Sequence, residues 1–191
     1  EFQGKIPPLN FEEEQQLEQN ILHEGRLLNP IIIWNGFILD GHTRYRILRK
    51  HPFIVYQIQE IKLANRYAAL SWICQNQLGR RNLDPERKKF LMGKQYDAEK
   101  QADGFHGNQH TRPVPSAGAQ NEHQQTAEKT CERIAQENHV SASAVRRAAL
   151  FAAGVDLAEE LCPGIRQRVL SGDLKAPDAL FERLAKARLE D

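Results

Sequence analysis

The stretch Pro30-Ile31-Ile32-Ile33-Trp34-Asn35-Gly36-Phe37-Ile38-Leu39-Asp40-Gly41-His42-Thr43-Arg44-Tyr45-Arg46-Ile47 decides the fold class. Two short apolar runs flank Asn35-Gly36, the strongest short-range hairpin signal, because such a tight turn needs residues that tolerate positive φ. Gly41 closes the second run, and Gly41 through Lys50 reads as a short basic helix. Phe53 through Ile58 looks like a third strand.

Asn10 is a helix cap, with Glu12, Glu13 and Glu14 in the first turn where acids suit the helix dipole. Phe11, Leu17, Ile21 and Leu22 give the apolar stripe of that helix, and Gly25 its stop. Leu63 through Leu78 is helical, with Leu63, Tyr67, Leu70 and Cys74 near one face. Asp84-Pro85-Glu86 is a cap followed by proline at the first helical position, which predicts a helix from Pro85 to Gln101. Residues 103–122 are rich in Gly, Asn, Gln, His, Pro and Ser and nearly empty of large aliphatic residues, the composition of a flexible loop or linker. The expectation is an α+β chain: a small mixed sheet with helices over 1–84, a connecting helix over 85–102, the loop over 103–122 and an all-α domain over 123–191.

The 191 residues carry 26 basic and 25 acidic side chains, a net charge of +1, which argues against a general polyanion binder. That total hides a segregation. Residues 1–40 hold two basic and seven acidic residues, −5; residues 41–100 hold thirteen and five, +8. The two remaining segments, 101–127 and 128–191, are each at −1. The +8 block is the footprint sought for a phosphate-bearing partner, or else a solvated helical surface. No run of about 18 apolar residues exists, so no transmembrane helix is expected. No signal peptide is visible at the acidic start, and the single methionine, Met92, reads as a chain that has lost its initiator. Cys74, Cys131 and Cys162 lack zinc or redox spacing and read as reduced thiols of a cytoplasmic protein. His106 and His110 mimic a metal pair but have no acidic or thiol companions, so no metal site is assigned.

The segment after the loop carries a helix-turn-helix pattern. A helix starting near Thr126 presents Cys131, Ile134 and Ala135 on one face and ends at Asn138-His139, where one residue must turn left-handed. Val140 reads as the turn plug. Ser141 caps a second helix, Ala142 to Leu150. In such a motif the second helix enters the major groove N-terminus first. Small residues there permit close approach, and Arg146 and Arg147 reach guanine edges or phosphates. The plainer alternative is an ordinary αα-hairpin. Leu157, Leu161, Ile165, Val169 and Leu174 continue a helical pattern, broken at Pro163-Gly164 and Gly172-Asp173, while Phe181 to Asp191 reads as a short tail.

Three boxes in the front half resemble the ParB-like, ParB/sulfiredoxin-fold family. Leu17 through Gly25, followed by Asn29-Pro30 and the isoleucine run, is similar to the family's opening box. Gly41-His42-Thr43-Arg44-Tyr45-Arg46-Ile47 resembles its Gly-x-x-Arg-x-x-Ala box, with Ile47 for the alanine. Asn76-Gln77-Leu78-Gly79-Arg80-Arg81-Asn82-Leu83 resembles its Glu-Asn-x-x-Arg-x-x-Leu box. The helix-turn-helix lies where partition proteins of this family carry theirs.

The resemblance implies a ParB-like protein of a bacterial chromosome, plasmid or phage, acting in the cytoplasm as a homodimer on double-stranded DNA. It implies a pocket for CTP with magnesium, in which Gly41, Thr43 and Arg44 contact phosphates across from Asn76, Gln77 and Arg80. Nucleotide would then draw two front domains together around DNA. Arg44 and Arg46 diverge by about 200° on one helix, and the box favours Arg44 for the pocket. Arg46 and Arg81 are then expected to face DNA or a partner chain, with Ser141, Ser143, Arg146 and Arg147 of the helix-turn-helix as the DNA contacts. The family's acidic position is Asn76 here, so the magnesium carboxylate is missing at that place, and Asp40 is the nearest alternative. No cysteine stands beside the box arginine, which argues against a sulfiredoxin-type reductase. The alternatives are a regulator that needs no nucleotide, and a nuclease or nucleotide phosphohydrolase on the same fold. For the enzyme reading the chain offers no convergent catalytic constellation.

Overall fold

A computed structural model describes residues 11–79, 83–102 and 129–190. Asn10, Arg80, Arg81, the 103–122 segment and the helix start near Thr126 lie outside the described residues. The chain is α+β, with a small three-stranded mixed sheet and mostly helical content. It divides into two compact units, Glu1–Ala64 and Asn65–Asp191.

In the first unit, α1 (Phe11–Glu24) leads into β1 (Ile31–Trp34), β2 (Phe37–Asp40), α2 (His42–Lys50) and β3 (Ile58–Glu60). Asn35 and Gly36 take φ of 47° and 78°, the left-handed pair that a two-residue hairpin requires. Trp34 pairs with Phe37 and Ile33 with Ile38, followed by an irregularity before Ile32 meets Asp40. The sheet order is β2-β1-β3, and β3 runs parallel to β1. Ile21, Ile31, Ile47, Leu48 and Ile54 form the core between the sheet and the two helices.

Two expectations shift here. The third strand begins at Ile58 rather than Phe53, because residues 51–54 close a turn (Ile54 N–H to the His51 carbonyl, 3.2 Å) that seats Ile54 in the core. Val55 makes only an isolated bridge to Arg26. The α1 stripe is narrower than its sequence suggests: Ile21 is buried, whereas Phe11 and Leu22 are exposed.

The second unit holds α3 (Arg66–Leu78), α4 (Pro85–Ala102), α5 (described over 129–138), α6 (Ala142–Leu161), α7 (Ile165–Leu170) and α8 (Asp178–Glu190). Asn65 caps α3 by accepting from the Ala68 N–H at 2.9 Å. The compact units divide before α3, not after residue 84, because α3 packs on α4: Ser71 donates to Glu99 at 2.8 Å and Leu78 lies against the Met92–Tyr96 cluster.

α6 is the axis of this unit. A Cβ placed on Gly93 of α4 would sit 2.1 Å from the Ala148 carbonyl oxygen, and one on Gly154 would sit 2.0 Å from that of Phe181. Both mid-helix glycines are therefore required by backbone contact, against their poor helix propensity. Around them pack two apolar clusters. Met92, Tyr96, Cys131, Ile134, Val145 and Ala148 form one; Phe90, Phe151, Val155, Leu170 and Phe181 are in the other. α6 runs to Leu161, beyond the expected Leu150, and the expected tail is helix α8, whose Phe181 ring meets Phe151 edge-on at 5.5 Å.

Candidate functional site

Two groups of sequence-predicted residues can be placed, one in each unit. In the first unit Gly41 precedes α2 with φ 100°, a conformation open to glycine. Arg44, one turn on, donates to Asp40 Oδ2 at 2.7 Å and to the Asn29 carbonyl at 3.3 Å. Both members of the ion pair are only 16% exposed. A Cβ on Gly41 would meet the Arg44 guanidinium at 3.2 Å, so that guanidinium fills the space beside the glycine. Thr43 is half-buried. His42 is half-buried too, and burial holds its pKa below the ordinary histidine value.

Arg46 diverges from Arg44, as the helix rotation requires, and pairs with Glu14 of α1 at 2.9 Å. Lys50 and His51 continue this ladder to Glu18 at 3.2 and 2.7 Å. Hydrogen bonds from His51 and then Lys50 hold the Glu18 carboxyl below the usual carboxylate range.

The third box lies in the second unit. Asn76 is exposed near the end of α3, while Gln77 is buried. Arg80 and Arg81 are outside the described residues. Arg44 already has a carboxylate partner, the Gly41 space is occupied by Arg44, and Gln77 is enclosed in its own unit.

The helix-turn-helix pattern has its own local geometry. α5 ends at residue 138, where Asn138 Nδ2 bonds back to the Ile134 carbonyl at 2.9 Å. His139 supplies the left-handed turn with φ 56°. The Val140 N–H then returns to the Ala135 carbonyl at 3.0 Å. Val140 is 37% exposed, so it is not the plug that its position suggests. The turn is sealed instead by Cys131, whose thiol donates to the Ala142 carbonyl at 3.1 Å. Burial raises the Cys131 pKa and pushes that of Cys74 up to about 12, so both are packing thiols, whereas Cys162 is exposed.

Ser141 caps α6, accepting from the Ala144 N–H at 3.2 Å and lying 2.9 Å from the Ser143 hydroxyl. The first turns of α6 then separate sharply. Val145, Ala148 and Ala149 are buried, while Ser141, Ser143, Arg146 and Arg147 are exposed. Burial raises the pKa of Tyr96 on α4, and the charge of the nearby Arg146 opposes that rise. Sequence periodicity does not find Tyr96, because it belongs to another helix; a tyrosine on an otherwise apolar face was the available signal.

Among the described residues no three His, Cys, Asp or Glu side chains converge as a metal-ligand set, and no helix is long and apolar enough to cross a membrane. Comparison of the chain with protein-family models, curated proteins and solved structures gives no match.

Proposed function

We propose that the chain is a ParB-like DNA-binding protein of a bacterial chromosome, plasmid or phage, which reads duplex DNA with the first turns of α6. The observation that carries this is the division of that helix. Ser141, Ser143, Arg146 and Arg147 are exposed together, and the intervening Val145, Ala148 and Ala149 are locked into the unit. Small polar residues and arginines at a rigidly held helix N-terminus suit major-groove edges and flanking phosphates. The order of the three sequence boxes, with a small mixed sheet before the helical unit, supports the family assignment. A palindromic site would be met by two copies, so a homodimer is the natural assembly. DNA reading of this kind needs no nucleotide step, which suits the paired state of Arg44.

Enrichment of randomised duplexes by the full chain, followed by sequencing, tests the proposal. A defined motif is expected. The double substitution Arg146→Ala, Arg147→Ala should lower affinity for that motif by about 100-fold, at 1–3 kcal/mol for each base-reading contact. Equal affinity of wild type and double variant would overturn the assignment. Calorimetric titration with CTP and magnesium tests nucleotide gating separately: tight binding would restore the switch.

A further inference from the structure

We propose that the outer edge of β3 is a self-pairing surface, on which a second copy of this chain adds its own β3 antiparallel across a two-fold axis, so that the two sheets become one. The proposal goes beyond the DNA reading and does not depend on it. β3 has one neighbour in the sheet, β1. Residues 57, 59 and 61 turn their main-chain groups to that neighbour. The Gln57 carbonyl accepts from the Ile31 N–H and the Ile61 N–H donates to the Ile33 carbonyl, each at 2.9 Å, and Gln59 pairs with Ile32. Main-chain groups alternate sides along a strand, so the N–H and C=O of Tyr56, Ile58 and Glu60 point away from β1. Every residue from Val55 to Glu60 is exposed. Ile58 stands beside Ile31 in the ladder, on the same face of the sheet, yet Ile58 is 56% exposed where Ile31 is 2%. The helices that bury Ile31 therefore stop one strand short of β3.

The usual guards of a free edge are absent. Residues 55–60 hold no proline, glycine or lysine, and β3 runs beside β1 in unbroken register. The segment suits its own copy instead. With the axis at Ile58, that residue meets the partner's Ile58, and Tyr56 meets the partner's Glu60, a phenol donor opposite a carboxylate acceptor on each side of the axis. Gln57 falls against the partner's Gln59, amide to amide, and Val55 against the partner's Ile61. Other axes are worse. One at Glu60 sets two carboxylates face to face, and one at Gln59 sets Ile58 against a carboxylate. One at Tyr56 or Gln57 runs into the turn that buries Ile54. The Ile58 register forms about six main-chain hydrogen bonds, two for each outward-facing pair. It uses the free edge of both copies, so the assembly is isologous and closes at two.

The test uses the full chain without DNA, so its result stands whatever α6 reads. Sedimentation equilibrium over a concentration series should show monomer and dimer in exchange. Ile58→Lys sets two ammonium groups opposite each other and should weaken the dimer by at least about 10-fold. Its circular dichroism should match the wild type, because the position is exposed. Ile58→Glu should weaken the dimer likewise, and an equal mixture of the two variants should pair again, which a folding defect would not produce. In a Cys162→Ser background, which removes the exposed thiol, Ile58→Cys should crosslink on oxidation, since residues paired in this way have Cα atoms about 5.5 Å apart. Gln57→Cys, offset from its own copy, should crosslink at least about 10-fold more slowly. A wild type that stays monomeric, a dimer indifferent to Ile58→Lys, or a mixture that does not pair again overturns the proposal. So does binding of an extended peptide of unrelated sequence to a chain that remains monomeric, which would give the edge to a different partner.

Discussion

Helices α2 and α6 begin alike and end up in opposite electrostatic states. Each starts at a non-helical cap and carries two arginines in its first turns. On α2 both arginines are neutralised within their unit, Arg44 by Asp40 and Arg46 by Glu14. On α6 both are exposed, and among the described residues neither has a carboxylate partner within ion-pair distance. The difference inverts the inference from segment charge. Part of the +8 of residues 41–100 is taken up in pairing: Lys50, Arg87, Lys89 and Lys94 also meet carboxylates, so at least six of its thirteen basic residues are paired. The nearly neutral last segment presents two adjacent exposed arginines, whereas on α2 only Arg49 of the last turn is exposed without an ion pair. Availability of a charge, not its count, marks a phosphate-facing surface.

The comparison depends on α6 being held rigidly, and its strongest test is therefore Gly93→Ala. A methyl there lands 2.1 Å from the Ala148 carbonyl oxygen, a backbone atom that cannot move alone. Alanine would gain about 1 kcal/mol in helix propensity, but separating two packed helices should cost about 3 kcal/mol or more, so the clash wins. Urea denaturation followed by circular dichroism should show the loss as a lower midpoint. A stability equal to wild type would mean that α4 and α6 do not meet as described, and that the exposure of Arg146 and Arg147 lacks its support.

The second test concerns the charge on the supporting helix itself. Burial pushes the Asp97 carboxyl up to about 6; Lys94 and Lys100 pull it down, and Asp156 adds to the rise. An acid whose folded value is raised favours folding in its protonated form. Its cost is absent below the ordinary carboxylate range, grows as the pH rises through about 6, and is complete above it. Asp97→Asn should therefore stabilise the protein at pH 8 by about 1–2 kcal/mol, discounted for partial exposure, with the difference vanishing near pH 4. Thermal melts of both proteins across that range measure it. A destabilised variant at pH 8 would make Asp97 a partner that α4 needs.

Much of this was legible in the chain. Asn35-Gly36 encodes the hairpin through two positive φ values, and Ser141, Val145 and Ala148 encode the capped, half-buried start of α6 through local spacing. What was not legible is whatever depends on a second element. The pairing of Arg46 with Glu14 joins residues 32 apart, so helix periodicity cannot reveal it. Gly93 and Gly154 look like weak points of their helices until the backbones facing them are known. Gln77 reads as a box carboxamide, but its burial is decided by α3 joining the helical unit. The third strand was displaced by a turn that satisfies a core contact of Ile54, a tertiary preference that β propensity does not contain.

The smallest expected effect probes α2 most directly. If Glu14 withholds Arg46 from phosphates, Glu14→Gln releases a half-exposed guanidinium on the outer side of that helix. Exposed pairs of this kind hold by about 0.2–1 kcal/mol, so stability should barely change. Affinity for randomised duplexes at low salt should rise by less than about threefold, because one extra surface cation adds only one weak, screened contact. The same substitution should leave the preference for an enriched duplex as it was, since a phosphate contact adds no sequence information. A rise of tenfold or more, with a steeper salt slope, would place the DNA backbone along α2. The contrast between the two helices would then be one of regulation, with Glu14 acting as a competitor that DNA displaces.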